Sequence, residues 1–215
     1  LVTAKLAGIA YILAVVLGVV VGVVAAVNHG KWVDSVLMTI SVFGISAPAF
    51  WIAIILQIVI CLKFNLLPLS GIDSFKSFIL PGIALGTRYA ASIARITRTS
   101  MLDVLSQDYI RTAEAKGLKG WVVTIKHALR NALIPIITIA GSDLGNILTG
   151  SVLVESVFSI PGIGKMLVDS INTRDLPIVQ GGVMYIAVIC VIMYLVVDLL
   201  YTVVDPRIRL GKESS

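Results

Sequence analysis

Charge is scarce in this chain: Asp, Glu, Lys and Arg make up 13% of its 215 residues, against 58% hydrophobic residues and a mean hydropathy of +1.00. A soluble domain keeps a charged surface, so this composition excludes an ordinary cytosolic fold and leaves a polytopic membrane protein. Cysteine is nearly absent. Cys61 and Cys190 both lie inside apolar runs, far apart and without ligand-like neighbours, which excludes a disulfide framework or a zinc site as the organising feature. The two histidines, His29 and His127, have neither a second histidine nor a carboxylate at ligand spacing, so no metal site is expected. The chain opens at Leu1 with neither the basic lead nor the small-residue cleavage site of a signal peptide, and a preceding N-terminal part is expected.

A helix that satisfies its own backbone across about 30 Å of hydrocarbon needs about 20 residues. Three apolar runs reach that length: residues 6–27; residues 36–62, where Pro48 should introduce a kink; and residues 177–204, charge-free up to Asp198. Two further segments are weaker. Residues 132–154 are interrupted only by Asp143, while residues 78–96 carry Arg88 and Arg95 but present small faces at Gly82/Gly86 and Ala90/Ala91/Ala94, as a helix surrounded by other helices should. The expectation is an all-α bundle of five spans forming one transmembrane domain over 1–215. Gly18 and Gly22, Gly82 and Gly86, and Gly141 and Gly145 stand one turn apart and are candidate helix-packing positions.

Cytoplasmic segments of membrane proteins carry the excess of Lys and Arg. With five spans, one side holds eleven: Lys31, Arg95, Arg98, Arg111, Lys116, Lys119, Lys126, Arg130, Arg207, Arg209 and Lys212. The other holds five: Lys5, Lys63, Lys76, Lys165 and Arg174. The first side is therefore expected in the cytoplasm together with the C-terminus, and a sixth helix before Leu1 would reconcile the outer N-terminus with it. The net charge of +5 reflects this bias and is not read as nucleic-acid binding.

Residues 98–130 form a cytoplasmic loop with helical patterns of its own. Met101, Leu102, Leu105, Tyr109 and Ile110 approximate a 3.6-residue period up to Lys116, and Gly117 supplies the positive φ of a helix end. A second pattern places Trp121, Val122, Ile125, Ala128 and Leu129 opposite Lys126 and Arg130. Two short helices meeting at a glycine suit insertion into a groove of a soluble partner; a basic amphipathic surface loop is the alternative.

The segment RTAEAKG, nine residues, then HALRNALIP resembles the signature loop of importer-type ABC transporter permeases, whose general pattern is Glu-Ala-Ala, three residues, Gly, nine residues, a hydrophobic residue, one more, and Leu-Pro. Ala113 and Gly117 match; Arg111 and Thr112 replace Glu and Ala, and Arg130 replaces Pro, as in the dipeptide, oligopeptide and nickel branch. ESVFSIPGIGKMLVDSINTRDLPIVQG, VVDLLYTVVDPRIR, ISAPAFWIAIIL and LPLSG are similar to that branch too, so the resemblance runs along nearly the whole chain. It implies the type I importer permease fold of six helices, the first missing here, in a bacterial or archaeal inner membrane. It implies a second similar permease, two cytoplasmic ATPases holding ATP and Mg, an extracytoplasmic substrate-binding protein, and peptide or nickel-chelate cargo. Arg111, Thr112, Ala113, Glu114, Ala115, Lys116, Gly117 and His127 would form the ATPase-coupling element.

Rival chemistries leave little trace. PGIGK at 161–165 lacks the phosphate-loop pattern, which needs Gly at Ser159 and a hydroxyl at Met166, and reads as a turn shaping an outer loop. HExxH and GxSxG are absent, and GSDLG around Asp143 lacks the Gly-x-Gly-Asp of intramembrane aspartyl proteases, so no catalytic residue or resident cofactor is assigned. Asp143 is expected to cap or hydrogen-bond a neighbouring helix and Asp198 to approach the inner interface. An ion-coupled secondary transporter or channel remains the alternative from a different class, with Pro48 and Asp143 at broken helices.

The charge bias yields a topological prediction. Single cysteines at Ser74 and Ser170 should react with an impermeant reagent from outside, and cysteines at Ser106 and Ser214 should not; labelling in the opposite sense reverses the orientation.

Overall fold

The computed structural model describes residues 1–72 and 74–204. Arg207, Arg209, Lys212 and Ser214 lie outside the described residues, as does the Asp198 side chain. All secondary structure among the described residues is helical: α1 (Val2–Val27), α2 (Trp32–Ser46), α3 (Ala49–Leu56), α4 (Ile79–Leu105), α5 (Asp108–Ala115), α6 (Gly120–Val122), α7 (Arg130–Val157), α8 (Ile163–Asn172) and α9 (Leu176–Val204). Two stretches are π-helical: Gln57–Lys63 prolongs α3, and Val123–Leu129 joins α6 to α7.

The bundle is organised around α1 and α4. Ala10, Ala14, Gly18, Gly22 and Ala26 recur every four residues on α1 and are buried. Side chains this small let two backbones approach. A Cβ added to Gly18 would lie 2.7 Å from the Ala90 carbonyl oxygen, one on Gly22 would lie 2.6 Å from that of Ala94, and one on Gly86 would lie 2.7 Å from that of Ala10. Contact partners rise in number together on both helices, so α1 and α4 run parallel. By the same logic α2 is antiparallel to α4, since Asp34 meets Arg98 while Gly44 faces Thr87 and Ala91. Helix α7 is also antiparallel to α4, with Ala132 in one core cluster with Met101 and Gly150 against Tyr89 and Leu85. Helix α9 reverses α7, with Tyr194 beside Gly145 and Cys190 beside Thr149.

The direction thus alternates through five passes. By length and composition alone three helices among the described residues are long and apolar enough to cross a membrane, or four if α2 and α3 count as one span. The difference is α4: α1, α2, α3 and α7 pack against its small faces, while Arg88 and Arg95 lie on its exposed side and Arg98 pairs with Asp34.

Two expectations about helix continuity are corrected. The segment 36–62 is not one kinked span: α2 already begins at Trp32, and α2 and the helix from Ala49 to Lys63 meet at 106°. Proline disfavours helical dihedrals in the residue before it, and Ala47 (ψ 131°) and Pro48 (ψ 136°) are both extended, which breaks the hydrogen-bond ladder. Nor do two short helices meet at Gly117. Met101 to Leu105 belong to α4, and the helix after Gly117 is continuous from Gly120 to Val157, 38 residues that include Pro135.

Two core clusters lie along the bundle. At the α8 end Leu6, Phe78, Leu85, Ile147, Phe158 and Ile160 pack together; at the α5 end Ile93, Met101, Ile110, Val123 and Ile136 do so. Helix α9 leaves Val183, Met184, Val188, Val191, Ile192 and Leu195 exposed, a continuous apolar surface that suits lipid or another membrane protein.

The parallel α1–α4 contact predicts unequal tolerance of bulk. Gly86→Leu, whose Cβ would meet backbone, should sharply reduce recovery of folded protein from membranes, at a cost of at least about 1–3 kcal/mol. Gly82→Leu, where the nearest atom is the Ile9 side chain at 3.0 Å, should be milder. Val20→Leu, at a position 54% exposed, should be neutral. Equal recovery of all three contradicts the packing scheme.

Candidate functional site

Between α4 and α7 the chain makes a tight helical spur. Ser106 and Gln107 interrupt the helix, and α5 starts at Asp108. Its end is set by sequence: Gly117 adopts φ +75°, its N–H donates to the Glu114 carbonyl at 2.8 Å, and the Leu118 N–H donates to that of Ala113 at 3.4 Å. These are the two bonds of a Schellman motif, which satisfies otherwise orphaned carbonyls and needs a left-handed residue at the glycine position. Nothing lies within 4 Å of where a Gly117 Cβ would stand. Backbone conformation alone therefore selects glycine here.

One face of α5 is locked into the bundle. Ile110 and Ala113 are buried in a cluster with Met101, Val123, Ala128 and Ala132. Asn131 donates to the Tyr109 hydroxyl at 2.9 Å and to the His127 carbonyl at 2.7 Å, tying α5 to the root of α7. The opposite face is open: Arg111, Thr112, Glu114, Ala115, Lys116 and Gly117 are all exposed. The Arg111–Asp108 pair at 3.8 Å is fully in solvent and contributes little to holding the helix. The spur therefore presents charged and small groups outward from a rigid attachment.

The predicted coupling residues thus separate into two groups. Arg111, Thr112, Glu114, Ala115, Lys116 and Gly117 form one contiguous exposed surface, while Ala113 faces the chain's own core and is unable to touch a partner. His127 is half-buried on the π-helical stretch, and its backbone joins the Asn131 link. Of the packing glycines, Gly18, Gly22, Gly82 and Gly86 lie at the α1–α4 contact, Gly145 stands against the Tyr194 ring, and Gly141 is half-buried on α7.

Other polar groups brace this end and its opposite. Near α5, Arg98 grips Asp34 with two bonds, Nε to Oδ1 at 2.6 Å and Nη2 to Oδ2 at 2.7 Å, and the Gly30 N–H donates to Oδ2 at 3.2 Å. A bidentate, charge-assisted pair of this geometry fixes the start of α2 against the half of α4 that leads to α5. At the far end, Glu155 is fully buried; it accepts from Ser151 Oγ at 3.0 Å and from the backbone N–H groups of Gly164 and Lys165 at 2.8 and 3.2 Å. Its carboxylate thereby caps the start of α8, while Thr3 Oγ1 accepts from the Ile163 N–H at 2.9 Å. The PGIGK turn is the seat of this cap. Sequence reasoning missed Glu155 because it is eight residues before the first residue of the helix it caps, outside any local capping pattern, and missed Asn131 because one amide on an apolar helix carries no periodic signal. Asp143, expected to bond a neighbouring helix, instead has a buried Oδ2 without a hydrogen-bond partner among the described residues.

Comparison with known proteins gives a consistent picture. A family model described as a binding-protein-dependent transport system inner membrane component matches residues 18–210. The chain is 46% identical over 185 residues to the glutathione transport system permease protein GsiC of Escherichia coli (strain K12), covering 86% of this chain and 60% of that protein. It is 44% identical over 198 residues to the protein of the same name from Salmonella choleraesuis (strain SC-B67), covering 92% of this chain and 65% of that one. The chain therefore spans less than two thirds of the length of these relatives. Among solved structures, the MetNI methionine ABC transporter in inward-facing conformations superposes with a TM-score of 0.76 at 15% identity, over 95% of this chain and 93% of that chain. An amino acid ABC transporter does so with a TM-score of 0.66 at 18% identity, over 96% and 90%. At these identities the likeness is one of fold.

Proposed function

This chain belongs to the family of binding-protein-dependent transport system inner membrane components, and we propose that it forms half of the translocation pathway of an ATP-driven importer for peptides. In this reading it is a transport subunit without chemistry of its own. A second permease completes the pathway, two ATPases carry ATP and Mg, and a binding protein delivers cargo on the side of α8. The home of the complex is the cytoplasmic membrane, with the α5 end and the C-terminus inside.

The observation that carries the reading is the exposed face of α5 on a rigid root. A motion imposed on Arg111, Glu114 and Lys116 by a closing ATPase passes through Ile110 and Ala113 to α4, and through Tyr109 and Asn131 to α7. Those two helices carry most of the bundle's contacts, so the spur can move a packed body rather than a loose strap. The glutathione named for both relatives is a tripeptide, which favours peptide over nickel chelate as cargo.

Gly117→Val tests the coupling role cleanly. With no atom near the Cβ position, the substitution acts only through φ, at a cost of about 1–3 kcal/mol for holding a β-branched residue in the left-handed region. Membrane insertion and binding-protein docking should persist, while ATP-dependent uptake is lost and ATPase attachment weakens. A Gly117→Val complex that keeps its ATPases and imports at the normal rate rejects the assignment.

A further inference from the structure

Beside the middle of α4 and α7 lies a cavity of about 410 Å³ lined by Ile45, Arg88, Tyr89, Ser92, Asp143 and Asn146. Its polar members come from one face of each helix: Arg88 and Ser92 are four apart on α4, and Asp143 and Asn146 three apart on α7. Asn146 is held in place, since its Oδ1 accepts from Tyr194 of α9 at 3.1 Å and its Nδ2 donates to the Ser142 carbonyl at 3.2 Å. Arg88 and Asp143 are not held in this way. Neither belongs to any of the ion pairs found among the described residues, and Asp143 Oδ2 is buried with no hydrogen-bond partner.

Asp143 is half-buried and Arg88 opens onto the exposed side of α4, and in membrane-spanning helices charges so placed are costly unless each finds a partner; direct pairing would lower that cost. Here the backbone keeps them on separate helices around a shared space. Such an arrangement makes sense when something else completes both charges. The missing group must offer an anion to a planar guanidinium and a cation to a carboxylate at once, and a volume of this size is in the range of small-ligand sites, about 300–1,000 Å³.

Building on the reading of the chain as a peptide permease, we propose that this cavity receives the two charged ends of a short zwitterionic peptide on its way through the membrane, the carboxylate at Arg88 and the ammonium at Asp143. Tyr89, Ser92 and Asn146 supply neutral hydrogen-bonding groups for the peptide unit between them. The pair then acts as a selectivity element: a peptide blocked at one end leaves the matching residue unpaired, and passage is slowed without any change in how the ATPases are engaged.

The test uses the complete transporter in proteoliposomes, with both permeases, ATPases and binding protein. Uptake is measured for dialanine, its N-acetylated form and its C-terminal amide, with binding-protein occupancy by each peptide determined separately and matched. The unsubstituted complex should favour dialanine over either blocked form by about ten-fold, the value of one charge-assisted bond. Asp143→Asn should abolish the preference against the N-acetylated form and keep that against the amide; Arg88→Gln should do the reverse. If Asp143→Asn does not assemble, Arg88→Gln carries the test alone. Variants that slow all three peptides equally, or leave both preferences intact, overturn the proposal. An unsubstituted complex that imports none of them with ATP would instead refute the peptide-importer reading itself.

Discussion

Ala10, Ala14, Gly18, Gly22 and Ala26 make a smooth stripe down α1, and the approach of α4 along that stripe is the contact on which the other elements depend. In hydrocarbon there is no hydrophobic drive to bring apolar helices together, so close backbone approach and the dispersion contacts it allows must do so. Once α1 and α4 are fixed in parallel, the chain between them must return the length of the bundle, and α2 and α3 provide that return despite the 106° break. Helix α7 then fills the open flank of α4, and α9 is applied to α7 from outside. An arrangement built this way buries the small faces of α4, pairs Arg98 with Asp34 of α2, and leaves Arg88 and Arg95 on its exposed side.

Polar side chains finish what packing begins, and they do so at opposite ends. The Asp34–Arg98 pair holds α2 to α4 beside α5, while buried Glu155 holds α8 to the end of α7. Each is a buried charge with its partners in place, the condition under which burial is tolerated. Between these ends, exposed Arg88 and half-buried Asp143 belong to no ion pair among the described residues, and Asp143 Oδ2 is buried without a hydrogen-bond partner there. The contrast distinguishes charges that build the bundle from charges that leave a space to be filled.

Much of this was legible in the residues. The all-helical bundle followed from the apolar runs, with α4 recognisable by its small faces and not by its length or composition, and Gly117 was recognisable because a helix terminus here needs its φ of +75°. Interruptions were harder to read. Pro48 breaks a helix where a kink was expected, whereas Pro135 lies within 38 continuous helical residues; proline's local effect is the same at both, and tertiary packing decides the outcome. Ala113 matched a family motif yet faces inward, because a motif fixes spacing but not which face of a short helix is covered. Glu155 and the polar cavity depend on contacts between distant segments and had no local signature.

In the proposed function, movement of cargo through this bundle is driven from outside the chain, through α5. This is tested most directly by reconstituting the full-length permease pair in proteoliposomes with and without its ATPases, and measuring peptide uptake under internal or external ATP or an imposed proton or sodium gradient. Uptake only when the ATPases are present and ATP is on their side of the membrane is the expected result. Gradient-driven uptake by the permeases alone would contradict the account and make the bundle an ion-coupled transporter.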